Sequence, residues 1–148
     1  MKKLFSAIIL CSIFLTLIYA GCKSDAQTAK TIINQDPLIL GSFKLLSLKD
    51  SSSTLVTLPS GFNANLILTS DSLKGKVGFN YYFGTYQIPS QNNIRINNRG
   101  STLVQDRFVD LENRYLRLLN NASSYQIKDS TLNIISTNSS YFLVFIKN

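Results

Sequence analysis

The chain has 148 residues and a formal net charge of +7, with two Cys, one Met and neither His nor Trp. Its length suits one domain, and its 45% apolar content belongs to a chain that folds. The missing His excludes a Ser-His-Asp triad and a His-ligated zinc, and the sequence holds no P-loop and no Gly-rich dinucleotide turn.

Met1-Lys2-Lys3 is a short positive start, residues 4–18 are almost wholly apolar, and Tyr19-Ala20-Gly21-Cys22 ends the run in small residues. This is the three-part pattern of a secretory signal. The run is shorter than the ~20 apolar residues a helix needs to cross the hydrocarbon core. Residues 1–21 are therefore expected to be a removed signal peptide. "IYAGC" resembles a bacterial lipobox, with Tyr19 in place of the usual Leu; the plainer alternative is an ordinary signal cut near a chance Cys. On the lipobox reading, the Cys22 thiol takes a diacylglycerol and the new amine is acylated too. Several chains anchor stably where one does not. Cys11 leaves with the signal, so Cys22 is the one remaining thiol and neither a disulfide nor a thiol nucleophile is expected.

The 126 residues after Cys22 are enough for a single core. Losing Lys2 and Lys3 takes the charge from +7 to +5, and the basic residues are scattered: Lys44, Lys49, Lys74, Lys76, Arg95, Arg99, Arg107, Arg114 and Arg117. No dense basic run points to nucleic acid. Residues 22–36 are polar and read as a lipidated tether. Lys23, rather than Asp, follows the Cys, and only Asp25 is acidic nearby. The expected place is the bacterial cell envelope, lipid-anchored at the outer membrane on its periplasmic side.

Residues 37–148 read as one β-rich domain. "SFKLLSL" (42–48) places Phe43 and Leu45 on one face, and "ANLILT" (64–69) follows. After the turn Asp71-Ser72, "LKGKVGF" alternates with period two: Leu73, Gly75, Val77 and Phe79 inward, Lys74 and Lys76 outward. "GTYQI" (84–88) and "IRI" (94–96) continue an antiparallel meander. One segment changes period. Phe108, Leu111, Tyr115, Leu118, Leu119 and Ala122 recur at spacings of three and four, which predicts an amphipathic helix over 105–121. Its Arg107, Arg114 and Arg117 are expected to face water, the alternative being an anion site. "SYQIK" (124–128), "TLNIIS" (131–136) and "SYFLVFIK" (140–147) close the chain, the last as a strand covered on both faces. The fold class is mainly β (α+β): a meander forming a partly open barrel, capped by one late helix.

This order resembles the META domain, the family that includes a heat-inducible bacterial envelope protein. The likeness runs from Leu38 to Phe145. Phe43 stands for the aromatic of the family's first strand. Its central Gly-Cys-Asn step, short loop and Gly-x-Tyr correspond to Gly78-Phe79-Asn80, Tyr81-Tyr82-Phe83 and Gly84-Thr85-Tyr86. Ser101-Thr102 supplies the small-residue segment, "LENRYLRLLNNASSYQI" the Glu-containing helix, and "STLNII" with "YFLVFI" the closing strands. Phe79 replaces the family's Cys, and no Cys lies near Gln105, so a redox role is not implied here. The resemblance implies links to stress response and, in some relatives, to secretion.

"VGFNYYFGTY" (77–86) packs five aromatics into ten positions. Gly78 and Gly84 are expected to give backbone freedom at a tight reversal, with Asn80 left-handed and bonded to its own backbone. Phe79 is expected to fill the Cys position in the core, and Tyr86 and Ile88 to pack inward. Gly78, Asn80, Gly84 and Tyr86 are thus mainly structural. Tyr81, Tyr82 and Phe83 cannot all point inward from one strand and are candidates for contact with a protein or glycan. A glycan site would need Tyr81 and Tyr82 exposed together. Glu112, the family's helix Glu, is expected to bond a neighbouring loop. No acid pair marks a glycosidase, and nothing calls for a metal or a cofactor. The expectation is a non-enzymatic envelope lipoprotein that binds or stabilises another envelope component. The alternative is a carrier or pilot holding an acyl chain or small apolar ligand inside the barrel.

Overall fold

The computed structural model describes residues 37–49, 55–137 and 142–148. The expected signal, Cys22 and the tether lie outside them. A single 3-10 turn, Pro37–Ile39, leads into nine strands and one helix: β1 (Gly41–Lys49), β2 (Leu55–Val56), β3 (Ala64–Leu68), β4 (Ser72–Val77), β5 (Asn80–Gln87), β6 (Arg95–Ser101), α1 (Val109–Asn120), β7 (Ala122–Lys128), β8 (Thr131–Ser136) and β9 (Phe142–Lys147). Among the described residues no helix is long and apolar enough to cross a membrane.

All ladders are antiparallel and form one sheet in the order β6-β5-β4-β3-β1-β9-β8-β7, with β2 on the far end of β1. The sheet curls into a half-barrel. Just before β6 it meets β7 through an isolated bridge, with the amide of Ile94 donating to Ser123 O at 3.0 Å and that of Tyr125 to Asn92 O at 2.8 Å. The helix packs against β6, β8 and β9.

Alternation along the strands builds the interior. Phe43, Leu66, Leu73, Leu132, Leu143 and Phe145 are buried. A bulge between Leu45 and Ser47 resets β1 by one residue, so Leu45 and Leu48 both point inward. From α1, Tyr115 enters the curl, its ring 5.6 Å from that of Tyr82 and 6.3 Å from that of Phe145, both edge-on.

Four expectations need correction. The helix is shorter than 105–121, starting at Val109, because the Asp106 side chain accepts the Phe108 amide and holds a turn ahead of it. The segments read as a loop and then "GTYQI" are one strand, β5, and the reversal is only the two residues Gly78-Phe79 between paired Val77 and Asn80. β9 alternates instead of being covered on both faces, with Leu143 and Phe145 buried and Ile146 exposed. β2 has no counterpart in the sequence reading, since two residues carry no period.

Candidate functional site

β5 divides the aromatic cluster between two faces. Tyr82 is only 1% exposed, whereas Tyr81 is 62% and Phe83 58% exposed. A pleated strand sends alternate side chains to opposite sides. The pairing of Tyr81 with Tyr82 as one glycan surface is therefore corrected: the outward pair is Tyr81 and Phe83.

On the inner face the Tyr82 hydroxyl donates to Asn65 O at 2.7 Å, which leaves it to accept from the Tyr115 hydroxyl at 2.6 Å. Burial pushes both hydroxyls well above the ordinary phenol range. Tyr115 adds to the rise at Tyr82, while the hydrogen bond the two hydroxyls share pulls Tyr115 partly back. Gly75 makes room for this pair: a Cβ there would sit 2.5 Å from the Tyr82 hydroxyl and 2.2 Å from Asn65 O. Tyr86 and Ile88 are buried as expected.

At the start of β5, Asn80 ties three segments together. Its Nδ2 donates to Glu112 Oε2 at 2.6 Å and to Val104 O at 2.9 Å, and its Oδ1 accepts from Thr102 Oγ1 at 2.8 Å and the Val104 amide at 2.7 Å. Both donors and both acceptor positions of the amide are used. Glu112 is buried, and its Oε1 accepts from the Phe79 amide at 3.1 Å. Glu112 thus bonds the β4–β5 turn, the neighbouring loop the sequence pointed to. Asn80 is not left-handed and does not cap its own backbone; φ is positive at Gly78 instead (57°). That conformation and the carboxylate leave no room for a side chain, since a Cβ on Gly78 would lie 1.9 Å from Glu112 Oε1. Gly84 serves differently from expectation. It sits mid-strand beside a bulge, where its missing Cβ admits Asn97 O, which would otherwise lie 2.2 Å away.

Phe79 does not fill a core position. It is 54% exposed and lies parallel to the Phe108 ring at 6.3 Å, because the turn carries it out of the period-two pattern. Val104 and Leu103, the latter 90% exposed, are exposed as well and lie near Asn80 and the first turns of α1. The sequence reading passed over these two; the signal was an apolar pair between the last residue of β6 and the turn at Asp106. Lys76 lies over the Tyr81 ring at 5.7 Å, and Phe83 covers Gly100 on β6, where a Cβ would meet the ring at 3.0 Å. Between Lys44 and Lys76, above Asn65, the outer face carries a depression of about 210 Å³. Among the described residues no three His, Cys, Asp or Glu side chains come together as metal ligands.

The outer face is thus an aromatic and cationic surface, suited to contact, and the inner face is filled by its own rings. The sequence matches the META domain over residues 37–148. No curated protein matches it. Among solved structures, a DUF4847 family protein from Bacteroides vulgatus superposes with a TM-score of 0.58 at 16% identity, covering 76% of this chain and 95% of that one. A protein from Burkholderia xenovorans superposes with a TM-score of 0.61 at 20% identity, covering 73% and 81%. At these identities the likeness is one of fold. With the family matched from the first described turn to the last residue, the chain belongs to the META domain family.

Proposed function

We propose that this protein is a non-enzymatic, lipid-anchored component of the bacterial envelope that works by contact, its META domain binding or stabilising another envelope component. The observation that carries this reading is the split of β5: Tyr82 is buried while Tyr81 and Phe83 stand outward, each more than half exposed. Exposed aromatics are favoured contact anchors. The carrier alternative has less support. Tyr82, Tyr115, Tyr125, Phe43 and Phe145 occupy the interior of the curl and are fully buried. The lipid anchor rests on the lipobox at Cys22 and the envelope location on the signal before it.

Native mass spectrometry of residues 37–148, purified gently from the native envelope, tests the reading. The expected result is a bare mass. A small apolar ligand that survives replacement of Tyr81 and Phe83 by Ala and leaves only on unfolding would overturn contact in favour of carriage.

A further inference from the structure

We infer that the outer face of β1 and β3 to β6 docks on an anionic phospholipid bilayer, with Tyr81 and Phe83 entering the headgroup boundary and the lysines beside them meeting lipid phosphates. This rests on the contact reading above and names its partner.

Charge carries the argument first. Strands β1, β3, β4, β5 and β6 contain Lys44, Lys49, Lys74, Lys76, Arg95 and Arg99 and not one Asp or Glu. Among the described residues the acids lie in turns and on α1, at Asp71, Asp106, Asp110, Glu112 and Asp129. An unmixed cationic face calls for an anionic partner.

Register then places cations beside rings. Lys44 pairs with Asn65, Asn65 with Lys76 and Lys76 with Tyr81, so one outward row runs Lys44-Asn65-Lys76-Tyr81 across four strands. The next row runs Ile67-Lys74-Phe83-Gly100. Strand spacing of ~4.8 Å makes the first row about 14 Å long. The depression between Lys44 and Lys76 lies on it and, at about 210 Å³, has room for a phosphate headgroup.

The apolar residues decide between polyanions. A soluble acidic chain would use the lysines and stack on rings, but it has no use for exposed Leu46 on β1 or for Ile146 on β9, which pairs with Lys44. Apolar side chains interleaved with lysines, as Tyr81 and Phe83 are with Lys76 and Lys74, suit an interface where one side is apolar and the other wet. Each lysine near an anionic surface strengthens binding about fivefold there.

The test uses residues 37–148, which hold the buried core of the described residues, from Ile39 to Phe145. The chain has no Trp, so Phe83→Trp gives a single reporter on the face. Vesicles of phosphatidylglycerol mixed with phosphatidylcholine are titrated in and compared with phosphatidylcholine alone. The expected result is a blue shift with the anionic vesicles only, quenched by brominated lipid and weakened by salt. Lys44→Ala with Lys76→Ala is expected to weaken binding about tenfold or more, with the far-UV spectrum unchanged. Equal binding to both vesicles, or binding that ignores the lysine pair, overturns the proposal. So does binding of polyglutamate without binding of vesicles, which would make the partner a soluble polyanion. Failure on vesicles with a bare native mass would remove the bilayer as partner and leave the contact reading standing.

Discussion

Asn80 and Tyr81 are neighbours on β5, and the chain uses them in opposite ways. Asn80 faces inward and makes four hydrogen bonds, to α1 and to the loop after β6. The Tyr81 backbone joins the same loop through Thr102, but its ring stands in solvent beside Lys76. The inner row of the strand ties it to α1 and the loop after β6, and the outer row is the one we propose for contact. The comparison teaches that one strand can carry both tasks, because its period of two keeps them apart.

The comparison breaks most sharply at Gly78. Replacing it with Ala puts a Cβ into Glu112 Oε1 and forces a side chain onto positive φ. We expect a loss of about 4 kcal/mol in urea unfolding, from the strained backbone together with the displaced carboxylate. Asn80→Ala keeps the backbone but leaves Val104, Thr102 and Glu112 without their partner, and should cost about 3 kcal/mol. A cost under about 1 kcal/mol would mean that the inner row is not what ties the helix to the sheet.

Alkali sharpens the same contrast. Burial raises the Tyr82 and Tyr115 hydroxyls above the 10.0 of a free phenol, so the folded chain keeps protons that the unfolded chain loses. Their contribution is therefore whole below pH 10 and falls as pH rises above it. The expected slope is about 1.4 kcal/mol per pH unit for each group. Unfolding followed at fixed urea between neutral pH and pH 11 checks this; a flat profile above pH 10 would contradict it.

Much of the fold was legible because the strands alternate cleanly. Leu73, Val77, Tyr86 and Ile88 pack inward as their spacing requires, and α1 buries Tyr115, Leu118 and Leu119. Misreadings collected where glycines broke the pattern. Gly78 and Gly84 look alike in sequence, yet one turns the chain at positive φ and the other admits a backbone oxygen mid-strand. Taking both as reversals split β5 and sent Phe79 inward. Tyr82 fell among the contact candidates because the phase of a strand follows from its register, and that depends on where the turn lies. The bonds of Asn80 join residues 22 to 32 positions apart in sequence, a distance at which no local period speaks. The lysine face was hidden for a related reason: residues scattered along the chain become neighbours only across strands.

The smallest expected change in stability belongs to the outer row. Replacing Tyr81 and Phe83 together by Ala should cost less than about 1 kcal/mol, since both rings are mostly in solvent. The most direct measurement pairs the urea midpoint of that double variant with its flotation on native envelope vesicles, both on residues 37–148. The account predicts an unchanged midpoint and lost flotation. Flotation equal to that of the parent domain, or a midpoint that falls together with flotation, would contradict it.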